Sequence, residues 1–176
     1  LFKNYGLDTR EKPWYEKVKL KPLTEEELLE LEKHNFTFRT LSAANSLLDI
    51  RYRGSMINDD ALAILEQYAN YITWLNLSDC QLGLEQLQIV SKMKNLTRLY
   101  LQKNPINSKA LKPLLELKHL EILNLHSTNV DSEIFDLISS FDNLKKVFLW
   151  NTRLTSKDIL KKANQSENIE LIGGLE

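Results

Sequence analysis

Apolar residues recur along most of this chain at a fixed spacing. The segment Ile72-Thr-Trp-Leu75-Asn-Leu77-Ser-Asp-Cys80-Gln-Leu82 returns 24 residues later as Leu96-Thr-Arg-Leu99-Tyr-Leu101-Gln-Lys-Asn104-Pro-Ile106. It returns again over Leu120 to Val130 and over Leu144 to Leu154, each time after 24 residues. A degenerate copy, Leu47 to Ile57, lies 25 residues upstream of Ile72, and the pattern restarts at Ile169 and Ile172 before Gly173-Gly174. Alternation such as Leu75-x-Leu77 predicts a short strand with its apolar side chains on one face. The ninth position holds Ser55, Cys80, Asn104, Thr128 and Thr152, small or polar residues suited to a turn off the strand. The second half of each unit is predicted helical. Asp59-Asp60-Ala61-Leu62-x-x-Leu65 with Ala69, and Glu133-Ile134-x-x-Leu137-Ile138 with Phe141, set apolar residues along one helical face. No unit can bury that face alone, so the units must stack into a parallel-stranded arc with helices outside.

The flanks lack the period. Residues 1–22 mix charges with Pro13 and Pro22 and carry the aromatics Phe2, Tyr5, Trp14 and Tyr15. They are expected to form a linker or a docking arm that lies along the first repeat or seats its aromatics on a partner. Thr24-x-x-Glu27 has the form of a capping box opening a helix over Glu25–His34, with Asn35 at its end. Phe36-Thr-Phe38 alternates as a short strand would. Residues 23–46 are therefore the expected N-terminal cap, and 47–176 the repeats: about five full units and a truncated sixth.

These residues match L-x-x-L-x-L-x-x-N/C-x-L, and from about Leu47 onward the chain resembles the leucine-rich-repeat family. The resemblance implies an α/β solenoid with a curved parallel sheet on its concave side, helices on its convex side and an α-helical N-terminal cap. A narrower resemblance rests on Leu125-His-Ser-Thr128-Asn-Val130 and on the closing unit Leu149-Trp150-x-Thr152-x-Leu154-Thr155, together with Leu-Lys-Pro-Leu-Thr and Ser-Leu-Leu-Asp-Ile within Lys19–Ile50. It is to the C-terminal repeats of exported bacterial proteins that carry membrane helices and a c-type cytochrome-like domain upstream. That resemblance implies an extracytoplasmic module, on the periplasmic side. The start at Leu1 fits a piece of a longer chain. The haem-attachment motif C-x-x-C-H does not occur in this sequence, so no haem role carries over.

Composition narrows the function by exclusion. At 176 residues, 43% hydrophobic and 27% charged, the chain suits one globular domain. A net charge of −1 argues against a nucleic-acid binder, which displaces counterions with a basic excess. One cysteine allows no internal disulfide, no apolar run reaches 18 residues, and no phosphate-binding Gly-rich loop occurs. His34 is expected to close the cap helix as a cation, His119 to serve a turn, and His126 to point outward from a strand, so no metal site is expected. Cys80 is expected to be a buried structural thiol. No catalytic constellation and no cofactor site are predicted.

Binding remains. Equivalent positions of stacked units form columns on the exposed face of the sheet. The third position gives Asp49, Trp74, Arg98, Ile122 and Lys146; the fifth gives Arg51, Asn76, Tyr100, Asn124 and Phe148; the seventh gives Arg53, Ser78, Gln102, His126 and Trp150. Aromatic residues and arginine on an exposed face are the stuff of interface hot spots. Trp74, Arg98, Tyr100, His126, Phe148 and Trp150 are therefore the candidate partner-binding residues. The bland alternative is stacking between neighbouring strands, Trp74 on Tyr100, or cover of Phe148 and Trp150 by a C-terminal edge segment. The excess of Arg51, Arg53, Arg98, Lys145 and Lys146 over Asp49, Asp79 and Glu121 favours a mildly acidic partner. The reading is a non-catalytic protein-interaction module. Its alternative is a structural domain docking on a neighbouring domain of the same, membrane-anchored, c-type cytochrome-like parent; no direct membrane insertion is expected of this segment.

Overall fold

The computed structural model describes residues 14–41, 46–166 and 168–174. The predicted arm residues before Trp14, including Phe2 and Tyr5, lie outside them. The fold is α/β, with one seven-stranded sheet whose strand order equals its chain order: β1 (Phe36–Thr40), β2 (Leu48–Tyr52), β3 (Ile72–Asn76), β4 (Arg98–Tyr100), β5 (Ile122–Asn124), β6 (Lys146–Phe148) and β7 (Glu170–Ile172). β1 runs antiparallel to β2, and every later pairing is parallel. A four-residue helix α1 (Trp14–Lys17) precedes the sheet, and α2 (Glu25–Lys33) leads into β1. The crossovers carry α3 (Asp59–Gln67), α4 (Leu84–Val90), a 3-10 helix (Ser108–Glu116), α5 (Ile134–Ile138) and α6 (Ser156–Ala163). Among the described residues no helix is long and apolar enough to cross a membrane.

Local chemistry accounts for the element boundaries. Thr24 and Glu27 form the capping box reciprocally, Glu27 N–H donating to Thr24 Oγ1 and Thr24 N–H to Glu27 Oε2. His34 caps the C-terminus of α2, its Nε2 3.1 Å from Glu30 Oε1, and Asn35 leaves the helix in the left-handed region at φ 64°. The crossover over Ser108–Glu116 departs from the α-helix expected of every unit. Pro113 has no N–H to donate and disfavours α geometry at Lys112, so the segment winds as a tighter 3-10 helix.

The core lies between sheet and helices. Ile50, Leu75, Leu99, Leu123, Val147 and Leu171 form one register row beneath the sheet, all buried, and Leu65, Leu87, Leu111, Ile138 and Ile159 meet them from the crossovers. The degenerate first unit has Tyr52 where later units have leucine. Its ring packs on Phe36 at 5.2 Å, its hydroxyl donates to the Met56 carbonyl, and a Cβ at Gly54 would come within 2.6 Å of it. Glycine at 54 makes room for that ring.

Turns after the strands repeat one device. The eighth-position residues Asp79, Lys103, Ser127 and Asn151 all have positive φ, between 51° and 61°. This conformation aims the N–H of Asp79, Lys103 and Ser127 at the carbonyls of Gln102, His126 and Trp150 in the next unit, at 2.8 to 3.0 Å. The ninth position then satisfies the turn. Asn104 Oδ1 accepts from the N–H groups of Cys80 and Leu82, while its Nδ2 donates to the carbonyls of Leu77 and Leu101. Thr152, at the same position, donates only to Leu149 of its own turn and accepts from Leu154 N–H.

Loss of one partner strands buried backbone groups at a cost of about 1–3 kcal/mol each. Asn104→Ala is expected to destabilise the fold by about 3 kcal/mol or more in chemical denaturation, and Thr152→Ala by about 1 kcal/mol. Equal effects would contradict the bridging role of Asn104.

Candidate functional site

The register places the third- and fifth-position residues on the sheet face opposite the core. One row runs Asp49, Trp74, Arg98, Ile122, Lys146; the next runs Arg51, Asn76, Tyr100, Asn124, Phe148. β1 extends both rows with Arg39 beside Asp49 and Thr37 beside Arg51. Trp74, Arg98, Tyr100 and Phe148 are half-buried there. His126 and Trp150 differ from expectation in one respect: β5 ends at Asn124 and β6 at Phe148, so both stand on the turns rather than on strands. The turn places them together all the same. Asn124 Oδ1 accepts the His126 N–H at 3.0 Å, as Asn76 Oδ1 accepts the Ser78 N–H two units earlier.

Two clusters emerge on this open face. At one, Arg98 lies over the Trp74 ring with its guanidinium carbon 4.0 Å from the centroid, and Arg39 approaches the same ring at 5.3 Å. These cation–π contacts, rather than stacking on Tyr100, partner the indole. At the other, Trp150 packs on Phe148 at 5.5 Å and edge-on to His126 at 5.9 Å. β7 flanks this cluster, with Ile172 opposite Phe148 and Gly174 close to the indole, yet Trp150 remains 36% exposed. The C-terminal segment borders these aromatics and leaves the indole open to solvent.

Charge is divided unevenly along the face. Arg39 pairs with Asp49 at 2.7 Å, Lys146 with Glu170 at 2.8 Å and Lys145 with Glu121 at 2.8 Å. Among the described residues no carboxylate pairs with Arg51, Arg53 or Lys103. Arg51, Arg53 and Lys103 line a depression of about 650 Å³ together with Ser78, Gln102 and Asp79. Arg51 also lines a second depression, of about 410 Å³, whose walls include Trp74, Arg98 and Tyr100. Neither Lys103 nor Arg39 was apparent as a surface residue from the strand periodicity. Lys103 stands on the turn, and Arg39 comes from the antiparallel strand outside the repeat.

The remaining candidates are structural. His119 occupies the position from which Asn95 and Asn143 donate to the preceding unit's Asn70 and Lys118 carbonyls. It instead stacks on Trp14 with ring centroids 4.3 Å apart and planes 12° from parallel. The arm thus reaches well past the first repeat, and Tyr71 fastens its far end by donating to the Lys21 carbonyl. Cys80 is fully buried, its thiol 3.1 Å from the Ser78 carbonyl, and burial reinforced by the Asp79 charge pushes its pKa up to about 11. A thiol held protonated at neutral pH is a poor nucleophile.

No family model matches the chain, and no curated protein matches it in sequence. Among solved structures it is similar to one described as leiomodin-1 actin-binding site 2 (ABS2). The two share 13% identity over 89% of this chain and 82% of that one, at a TM-score of 0.39. A likeness of that degree carries no argument about fold or partner.

The raised Cys80 pKa has a direct chemical readout. The folded protein is expected to resist alkylation by iodoacetamide between about pH 7 and 9 and to become reactive on denaturation. Modification of native protein at the rate of an unfolded control would show the thiol to be accessible.

Proposed function

We propose that this chain is a non-catalytic protein-interaction module of the leucine-rich-repeat type, binding its partner through the open face of the sheet. The observation that carries this reading is the parallel register of β3 to β6. It brings Trp74, Arg98, Tyr100 and Phe148 onto one surface, with His126 and Trp150 at its rim. Within a closed domain such rings would be covered; here Trp74 and Tyr100 line an open depression and the Trp150 indole is exposed. Aromatic side chains bring large contact area with little rotamer entropy to lose, and Arg98 is already held over the Trp74 ring, which suits them to recognition. The repeating crossovers support the solenoid reading, in which the face would be the concave side.

Selection from a random-peptide display library tests the assignment. Enriched peptides should lose at least tenfold in affinity for a Tyr100→Ala, Trp150→Ala double variant. They should bind unchanged to Leu160→Ala, a substitution of an exposed residue on α6, away from the sheet. Binding that ignores the double variant, with both proteins folded, would place recognition elsewhere.

A further inference from the structure

Resting on that reading of the open face, we propose that its partner is an extended peptide segment with carboxylates near one end and an aromatic or bulky apolar residue about six positions away. The argument starts from the unequal distribution of charge and rings. From β2 to the turn after β4, Arg51, Arg53 and Lys103 are exposed, lack carboxylate partners among the described residues and share one depression with a single carboxylate, Asp79. Arg98 adds a fourth cation, held over Trp74 rather than in an ion pair. At the β6 end Lys146 is already matched by Glu170, Arg153 beyond the turn interacts with Asp131, and the face presents the Phe148–Trp150–His126 cluster. The molecule as a whole carries a net charge of −1, so this basic end is a local concentration and not a general property.

Geometry then sets the spacing. The seventh-position residues Arg53, Ser78, Gln102, His126 and Trp150 follow successive strands of one sheet; the turn hydrogen bonds from Asp79, Lys103 and Ser127 hold the row in step from Ser78 to Trp150, and the β2–β3 pairing sets Arg53 beside it. Neighbouring strands lie about 4.8 Å apart, so Arg53 and Trp150 are separated by about 19 Å. An extended chain advances about 3.3 Å per residue and covers that span in about six residues. Lys103, midway, would meet a carboxylate nearer the centre. A nucleic acid fits less well. Its phosphates repeat evenly along the strand, while the unpaired cations of this row stop at β4, Lys145 and Lys146 are ion-paired, and the next cation, Arg153, lies past Trp150 and interacts with the Asp131 carboxylate.

The probe is a synthetic peptide with a short acidic run about six residues from a phenylalanine, with Ser and Gly between, titrated against the full chain by calorimetry. Binding should weaken about tenfold or more in an Arg51→Glu, Arg53→Glu variant and in Trp150→Ala, with thermal melting confirming that both remain folded. Halving the spacer should cost a similar factor, and raising the salt should weaken binding. An analogue with lysines in place of the acids binding equally well would overturn the proposal, as would no binding at millimolar peptide. Tighter binding of a single-stranded oligonucleotide would overturn it in favour of a nucleic-acid partner. If library-selected peptides need Tyr100 and Trp150 but carry no acidic run, this proposal fails and the interaction reading stands. If they ignore the open face, that reading fails first.

Discussion

Each strand from β3 to β6 hydrogen-bonds to the strand one unit ahead, and the ladder continues beyond the strands into the turns. Leu77, Leu101 and Leu125 donate to Tyr100, Asn124 and Phe148, and the eighth-position residues donate one step further on. To do so Asp79, Lys103 and Ser127 adopt left-handed backbone, a conformation that costs a non-glycine residue of the order of 1 kcal/mol. The cost is offset by the hydrogen bond that each of these N–H groups makes to the next unit. Register follows from this ladder, and the rows of the open face follow from register.

The division of labour between the two sheet faces has the same origin. Backbone groups and the ninth-position Asn104 hold successive units together from within the turn, while Thr128 bonds within its own. The exposed lysine–glutamate pairs between crossovers, such as Lys92 with Glu66 and Lys94 with Glu116, add no more than about 1 kcal/mol each. Among the third- and fifth-position side chains, Asn76 and Asn124 accept turn N–H groups, while the large ones take no part in the core. They are the positions at which a fold of this kind can carry tryptophan, tyrosine or arginine without disturbing its core.

Much of this was legible in the sequence because a strict period converts spacing into register. The row Trp74, Arg98, Ile122, Lys146 was predictable from repetition alone, and the capping box at Thr24 and Glu27 from a local hydrogen-bond rule. What escaped lies outside both. Nothing periodic announces that Trp14 stacks on His119, since the contact joins residues more than a hundred positions apart and from different kinds of segment. Arg39 reaches Trp74 only because β1 runs antiparallel, and the alternation of Phe36 and Phe38 signals a strand without its direction. Pro113 was visible, but its consequence, a 3-10 crossover in place of an α-helix, needed the backbone. The ion pairs that neutralise Lys145 and Lys146 had the same standing: the sequence shows the charges, and the register shows which are matched.

Native-state amide hydrogen exchange measures the ladder itself. The N–H groups of Leu77, Asp79, Leu101, Lys103, Leu125 and Ser127 should be protected as strongly as those of the core strands, although half of them sit in turns. Should Asp79, Lys103 and Ser127 exchange as fast as unstructured loop amides, the bonds that hold the rows in step do not persist in solution, and the account of the open face built on them is wrong.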